Sequence, residues 1–261
     1  MKRVQLAVLI GLLALSSMGF SADLKQLSLV CDDWPPYQII HKDRISGFST
    51  AVVKTVLQRM GTDGVFLDAY PWKRAILMLE KGLVDGLFSA NHTVQRAGFA
   101  LYPDEAIVET PWVMWVRKKD GLTLESWQDL SGLTVGLVRG YSYTPEFWRF
   151  MKTQGRYEVV SDDEKNFKKL NAGRVDVVVA ELGNGLYLLD KLGIKGVVPL
   201  VAHPVKVDGL YIIFSKKRVS PSFVQAFSAE LGRLKKESAY QRLHETYLLI
   251  EQPTDPGPPP L

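Results

Sequence analysis

The sequence predicts an α/β protein of two similar lobes, on three observations. Short apolar runs alternate with amphipathic helical stretches nearly throughout, the pattern of largely parallel sheets covered by helices. One helix–glycine–strand junction occurs twice, as Lys81-Gly82-Leu83-Val84-Asp85 and as Ala172-Gly173-Arg174-Val175-Asp176, with the aspartate at the same offset. Two polar segments, 117–121 (Arg-Lys-Lys-Asp-Gly) and 206–209 (Lys-Val-Asp-Gly), mark where the chain crosses from one lobe to the other and returns.

Strands are expected at 27–31, 64–67, 84–88, 112–116, 134–138, 157–160, 175–180, 197–201 and 210–214, each an apolar run too short for a helix. Helices are expected at 49–60, 72–81, 145–153, 164–171, 186–192 and 222–234, between those runs. Gly82 stands where a C-cap glycine belongs, closing the helix that begins at Trp72. Thr93 reads as the N-cap of a further short helix that carries Arg96. Pro145 suits the first helical position, which makes Ser142 or Thr144 the cap before it.

The ends and the bulk composition bound the function. Lys2 and Arg3 precede the apolar run 4–15, and small residues follow through Ser21 and Ala22. That order reads as a secretory leader over residues 1–22, cleaved after Ser21 or Ala22, which exports the chain. Its apolar stretch is shorter than a spanning helix needs, and no cysteine at the cleavage site offers a lipid anchor. The 32 basic and 28 acidic side chains give a net charge of +4; loss of Lys2 and Arg3 leaves the mature chain nearly balanced. With no basic run interleaved with aromatics, nucleic acid is excluded as a partner. Cys31 is the single cysteine, so no intrachain disulfide forms, and it reads as a small buried hydrophobe. The Pro-rich tail at 251–261 carries too few apolar side chains to pack.

Three clusters carry chemistry. Trp34-Pro35-Pro36-Tyr37 follows the first strand and Tyr70-Pro71-Trp72 precedes the second helix, both beyond carboxyl ends of strands, where ligands sit in parallel α/β folds. Paired indole faces clamp apolar or cationic groups, or simply cover the sheet. Ser89, Asn91, Thr93 and Arg96 form the second cluster; a guanidinium beside free helix-end N–H groups suits a carboxylate, with a plain surface arginine as the alternative. Gly140-Tyr141-Ser142 opens the helix at Pro145, and Glu181 ends the strand at 175–180; the latter is a site carboxylate or a solvated loop residue. There is no Gly-x-Ser-x-Gly elbow and no His-Glu-x-x-His, and His41, His92, His203 and His244 are dispersed. No catalytic or metal-ligating set emerges.

In order along the chain, Trp-Pro-Pro-Tyr, Gly47-Phe48, Gly82-Leu83-Val84-Asp85, Thr93-x-x-Arg96, 130–136 (Leu-Ser-Gly-Leu-Thr-Val-Gly), Gly140-Tyr141-Ser142 and Gly173-Arg174-Val175-Asp176 resemble the amino-acid-type periplasmic solute-binding proteins of extracellular family 3. The resemblance spans about residues 25–250. It implies the type II periplasmic-binding fold: two lobes, each a mostly parallel sheet flanked by helices, joined by a two-strand hinge. The lobes would then be 23–117 (lobe 1, first part), 118–206 (lobe 2) and 207–250 (lobe 1, return part). It also implies that Arg96 grips a ligand carboxylate with help near Ser89, Asn91 and Thr93. Trp34, Tyr37 and Trp72 would flank the side chain. Gly140, Tyr141 and Ser142 would close from lobe 2, and Glu181 would hold the ammonium. The expected partners are the small solute and an inner-membrane ABC permease, with no cofactor and a monomeric state. A dehydratase-like enzyme on the same scaffold, or a ligand receptor for a sensor kinase, are the alternatives.

Overall fold

A computed structural model describes residues 26–42, 44–62, 64–153 and 155–248. The expected leader at 1–22 and the Pro-rich tail at 251–261 lie outside the described residues. In chain order the elements are β1 (Gln26–Cys31), β2 (Ile39–Ile40), β3 (Ile45–Ser46), α1 (Phe48–Arg59), β4 (Gly64–Ala69), α2 (Trp72–Lys81), β5 (Gly86–Ala90), α3 (Val94–Phe99) and β6 (Ala100–Leu101). The long strand β7 (Val108–Arg117) leads to β8 (Thr134–Val138), α4 (Pro145–Thr153), β9 (Arg156–Val160), α5 (Asp163–Asn171), β10 (Val177–Glu181), α6 (Leu182–Lys191) and β11 (Val197–Leu200). A second long strand, β12 (Lys206–Ser215), returns to α7 (Pro221–Leu234) and α8 (Ser238–Leu248).

One curled sheet runs β4-β1-β5-β12-β7-β10-β8-β9, with β6 on β12 and β11 on β7. β1 pairs in parallel with β4 and β5, and β8 with β9 and β10. These parallel groups are the centres of the two lobes, and the antiparallel pair β7–β12 joins them. The first crossing is earlier than the charged segment at 117–121 suggests. β7 pairs with β12 over Val108–Trp112, but from Trp112 to Arg117 it pairs with β10 and β11 inside lobe 2. Arg117 is held there: it donates to Leu170 O at 2.7 Å and Val175 O at 2.6 Å, and pairs with Asp120 at 2.6 Å.

The repeated junction has a structural meaning. Asp85 donates its N–H to Ser28 O at 2.7 Å and accepts Ser28 N–H on Oδ2 at 2.7 Å. Asp176 does the same with Thr134, at 2.8 Å in each direction. Each aspartate thus staples the strand it opens to the first residues of a neighbouring parallel strand, once per lobe. Gly82 sits at φ 74°, the left-handed C-cap conformation glycine adopts without strain. Gly47 meets a different demand: a Cβ there would lie 2.6 Å from Tyr37 O, so only glycine lets α1 start beneath the aromatic loop.

Burial follows the apolar pattern. Leu27, Leu29 and Cys31 of β1, Val52, Val53 and Val56 of α1, and Phe227 and Leu231 of α7 have no exposed surface. Cys31 is buried and unpaired, and burial pushes its thiol pKa up. In lobe 2, Trp115 packs edge-on against Phe167 at 5.1 Å. No helix among the described residues is long and apolar enough to cross a membrane.

Candidate functional site

The carboxyl ends of the parallel strands in both lobes face a common cleft, and the side chains singled out above divide between its lining and its supporting wall. From lobe 1, β1 leads into Asp32 and Trp34, β5 ends in Ser89 and Asn91, and the short helix α3 carries Arg96. From lobe 2 and the hinge come Tyr141, Ser142 and Trp112. They enclose a narrow cavity of about 20 Å³, which continues past Trp34 and Trp72 into a wider mouth of about 670 Å³.

Arg96 is the central charge. Thr93 caps α3 by accepting Arg96 N–H at 3.1 Å, which fixes the start of the helix. The guanidinium donates to Asn91 O at 2.9 Å and, across the cleft, to Gly140 O at 3.4 Å. It lies 5.1 Å from the ring of Trp72, a cation–π distance. Burial depresses its pKa, against a smaller opposing pull from Tyr102 and Asp208. Among the described residues no carboxylate forms an ion pair with it, and its protein hydrogen bonds go to backbone carbonyls. A buried guanidinium held by two carbonyl dipoles and one indole face has no carboxylate partner, and an anion there lowers its energy.

Ser89 is held by strain. At φ 53° it is a non-glycine residue in the left-handed region, at the end of a strand that slips register against β12 between Tyr211 and Ile213. The bulge turns Ser89 and Asn91 toward the cleft. The Ser89 hydroxyl accepts from Gln38 Nε2 and donates to Ser49 Oγ at 3.0 Å. Asn91 donates to Gly209 O at 3.0 Å and accepts Ser142 Oγ–H at 3.1 Å, tying lobe 1 to the hinge strand and to lobe 2. Lys206 of β12 closes this side, donating to Ser142 O at 2.6 Å with its ammonium 4.8 Å from the ring of Trp112.

Four of the expected positions do not line the narrow cavity. Thr93 acts as the helix cap, and Gly140 contributes only its carbonyl, shared by Arg96 and by Trp72 Nε1 at 3.2 Å. Tyr37 and Glu181 lie behind the wall. Glu181, 1% exposed, caps α6 by accepting Gly183 N–H at 2.8 Å and Asn184 N–H at 2.7 Å. It also accepts Tyr37 O–H at 2.9 Å and the hydroxyl of Thr110. With four donors converging on it and desolvation raising its pKa, this carboxylate is an inter-lobe tie rather than a free acceptor. The ammonium role that the resemblance implies for Glu181 meets no open path in this geometry.

Two other carboxylates stand nearer the cleft. Asp32 lines both the narrow cavity and the mouth, and Asp163, the first residue of α5, lines the mouth opposite it. Burial pushes each carboxyl up to about 7; the charge of Asp163 adds to the shift at Asp32, and that of Glu181 to the shift at Asp163. Asp163 accepts from Trp34 Nε1 at 3.2 Å and from Tyr141 O–H at 2.9 Å. Asp32, Asp163, Trp112 and Lys206 are the residues that sequence reasoning did not single out. For Asp32 the signal was present, as Asp32-Asp33 directly before Trp34; Trp112 and Lys206 sit in the long strands, and their place in the site depends on where those strands cross.

Two lobes on a common sheet, a two-strand joint, and a buried cation facing aromatic walls define the class: a two-lobed α/β protein with its candidate site in the cleft between the lobes. The chain belongs to the bacterial extracellular solute-binding proteins, family 3, which it matches over residues 28–250. No curated protein sequence matches it. Among solved structures, a histidine kinase sensor domain similar to periplasmic binding proteins superposes with TM-score 0.74 at 19% identity, covering 87% of this chain and 97% of that one. A mutant of ArgBP from T. maritima gives TM-score 0.73 at 19% identity, over 86% and 96%. A structure from work on glutathione import via GshT and the cystine ABC importer TcyBC of Streptococcus mutans gives TM-score 0.73 at 19% identity, over 86% and 95%. These likenesses establish a shared fold, the type II periplasmic-binding fold.

Proposed function

We propose that this protein is a periplasmic receptor for a small carboxylate-bearing solute, an amino acid or close relative, which it hands to a membrane ABC permease. The observation that carries this reading is the buried, carboxylate-free guanidinium of Arg96 between the lobes. A carboxylate there forms the charge-assisted pair that the protein itself does not supply. Asn91 and Ser142, already joined across the cleft, supply neutral donors and acceptors beside it, and Trp34, Trp72 and Trp112 wall the apolar part of the solute.

Entry requires the lobes to part. A space of about 20 Å³ holds roughly one water molecule. The antiparallel stretch of β7 and β12 is the joint about which the lobes swing. The solute docks on Arg96 in the open form, and closure brings Tyr141 and Ser142 onto it. Binding to the closed form raises unfolding stability by mass action, by about 2.7 kcal/mol at a hundredfold excess over Kd.

A thermal-shift screen of the mature protein against amino acids, small carboxylates and polyamines tests the reading. Hits confined to carboxylates support it, and hits confined to neutral or purely cationic solutes contradict it. Delivery is tested in cells: deletion abolishes uptake of the solute if the partner is a permease. If the partner is a sensor kinase, deletion spares uptake and abolishes the transcriptional response.

A further inference from the structure

The outer edge of the lobe 2 sheet is open. β9 ends the sheet, and among the described residues its one strand neighbour is β8, which it pairs in parallel. Arg139 N–H donates to Val160 O at 2.9 Å, so Val160, and with it Glu158 and Arg156, turns its backbone groups toward β8. On the other side of β8, Thr134 exchanges its backbone bonds with Asp176, in the same alternation. Tyr157 and Val159 therefore turn their N–H and C=O groups away from β8, where no other strand or loop among the described residues bonds to them. Such a row of unpaired backbone groups is a template for a further strand.

The side chains beside this edge select what pairs with it. Tyr157 and Val159 share one face of β9 and are 38% and 37% exposed. With Pro145, Trp148, Arg149 and Lys152 of α4 they line an open groove of about 700 Å³, and none of these residues lines the cleft. Trp148 meets Tyr157 edge to face at 5.9 Å, and the Lys152 ammonium lies 6.0 Å from the Trp148 ring. Arg149 and Lys152 are exposed in the groove and Arg156 is exposed on the opposite face of β9; among the described residues none of the three joins an ion pair. The acidic residue of β9, Glu158, is already paired with Lys169, and Glu146 of α4 does not line the groove. The edge is thus apolar and aromatic with uncompensated positive charge on both faces, which suits an acidic strand and repels a basic one.

We propose that β9 is a docking edge for an extended acidic segment of a partner protein, which adds to the lobe 2 sheet as a further strand. Its backbone pairs with Tyr157 and Val159. Its carboxylates meet Arg149 and Lys152 on one face and Arg156 on the other, and its apolar side chains cover Trp148, Tyr157 and Val159. Main-chain bonds supply affinity in such an addition, and the side-chain pockets supply selectivity. The inference is independent of the role given to Arg96.

The test is selection of short peptides from a random displayed library on the mature chain, then calorimetric titration and amide hydrogen exchange with the best synthetic peptide. The enriched peptides combine Asp or Glu with β-branched and aromatic residues and lack Pro. The bound peptide slows exchange of the Tyr157 and Val159 amides at least about 10-fold. Val159→Pro removes an outward N–H while leaving the ladder with β8 intact, and it weakens the peptide at least about 10-fold. The double variant Arg149→Glu with Lys152→Glu, at exposed positions, does the same and serves if Val159→Pro fails to fold. Added salt weakens binding to wild type more than to the double variant. The proposal is overturned if no peptide is enriched, if the enriched peptides lack acidic residues, or if binding leaves the Tyr157 and Val159 amides unprotected. Self-association that is lost in Val159→Pro assigns the edge to a second copy of this chain. Protection of the two amides without peptide, lost on deletion of residues 251–261, assigns it to the chain's own tail. Either result overturns the partner assignment.

Discussion

Trp34 and Asp163 meet across the cleft: the indole Nε1–H of the lobe 1 residue donates to Oδ2 of the lobe 2 carboxylate at 3.2 Å. This bond holds one ring of the aromatic wall and fixes one oxygen of Asp163, leaving the other oriented by the protein but unused. With Asn184 Nδ2 donating to Pro35 O at 2.6 Å and Tyr37 donating to Glu181 at 2.9 Å, it forms a row of ties between the loop after β1 and lobe 2. A second row, Arg96 and Trp72 to Gly140 and Ser142 to Asn91, lies at the other side of the narrow cavity. The lobes are thus joined by two latches with the narrow cavity between them.

The Glu181 latch is structural. Glu181→Ala strands two backbone N–H groups and the hydroxyls of Tyr37 and Thr110 in a buried wall, and the expected loss is about 3 kcal/mol or more in urea unfolding. Glu181→Gln keeps one acceptor oxygen and costs less. A Glu181→Ala protein as stable as wild type would refute the four-donor arrangement.

The two staples are expected to differ in strength. Asp85 also accepts Arg218 Nε at 2.6 Å and its side chain is 5% exposed, whereas the Asp176 side chain is 38% exposed with Arg117 at 3.6 Å. Asp85→Ala therefore costs about 2–3 kcal/mol and Asp176→Ala about 1 kcal/mol, compared through the denaturation midpoints at constant m-value.

Stability depends on pH through Asp32 and Asp163. Each carboxyl, at about 7 in the folded protein, lies above the 3.8 of the unfolded chain. Between roughly pH 4 and 7 the native state therefore holds more protons, and stability falls as pH rises through that window. Asp33, Asp162, Glu164, Lys165, Lys168 and Lys191 face the same mouth; Asp162 and Glu164, with lowered pKa values, act in the opposite sense below about pH 4.5. The thermal midpoint should drop from pH 5 to pH 7.5, by less in Asp163→Asn. A midpoint that rises over that interval would contradict the assignment.

The alternation of short apolar runs with amphipathic helices made most of the fold legible in the sequence: the helices at 72–81 and 145–153 and the strand at 134–138 have the expected limits. What escaped depends on pairing across distance. The strand expected at 112–116 is the second half of a ten-residue strand, because its first half is stabilised only once β12 lies beside it. Helix α8 and the two-residue ribbon β2–β3 carry weak local patterns. At the site, Arg96 and its Thr93 cap were readable because a cap is a local device. Glu181 was readable as a residue at a strand end but not as a saturated one, since Tyr37 and Thr110 reach it from 144 and 71 residues away. Asp163 was obscured by Asp162 and Glu164, which share the start of α5; only the fold shows that its neighbours are paired and that it is not.

Titration of the best carboxylate from the screen into wild type and Arg96→Ala tests the central claim most directly. Loss of the guanidinium should weaken binding by about 2–5 kcal/mol, while the unfolding midpoint of the ligand-free protein changes little, because a buried charge without a carboxylate partner contributes little stability. An Arg96→Ala protein that binds the same carboxylate within about twofold of wild type would contradict the account.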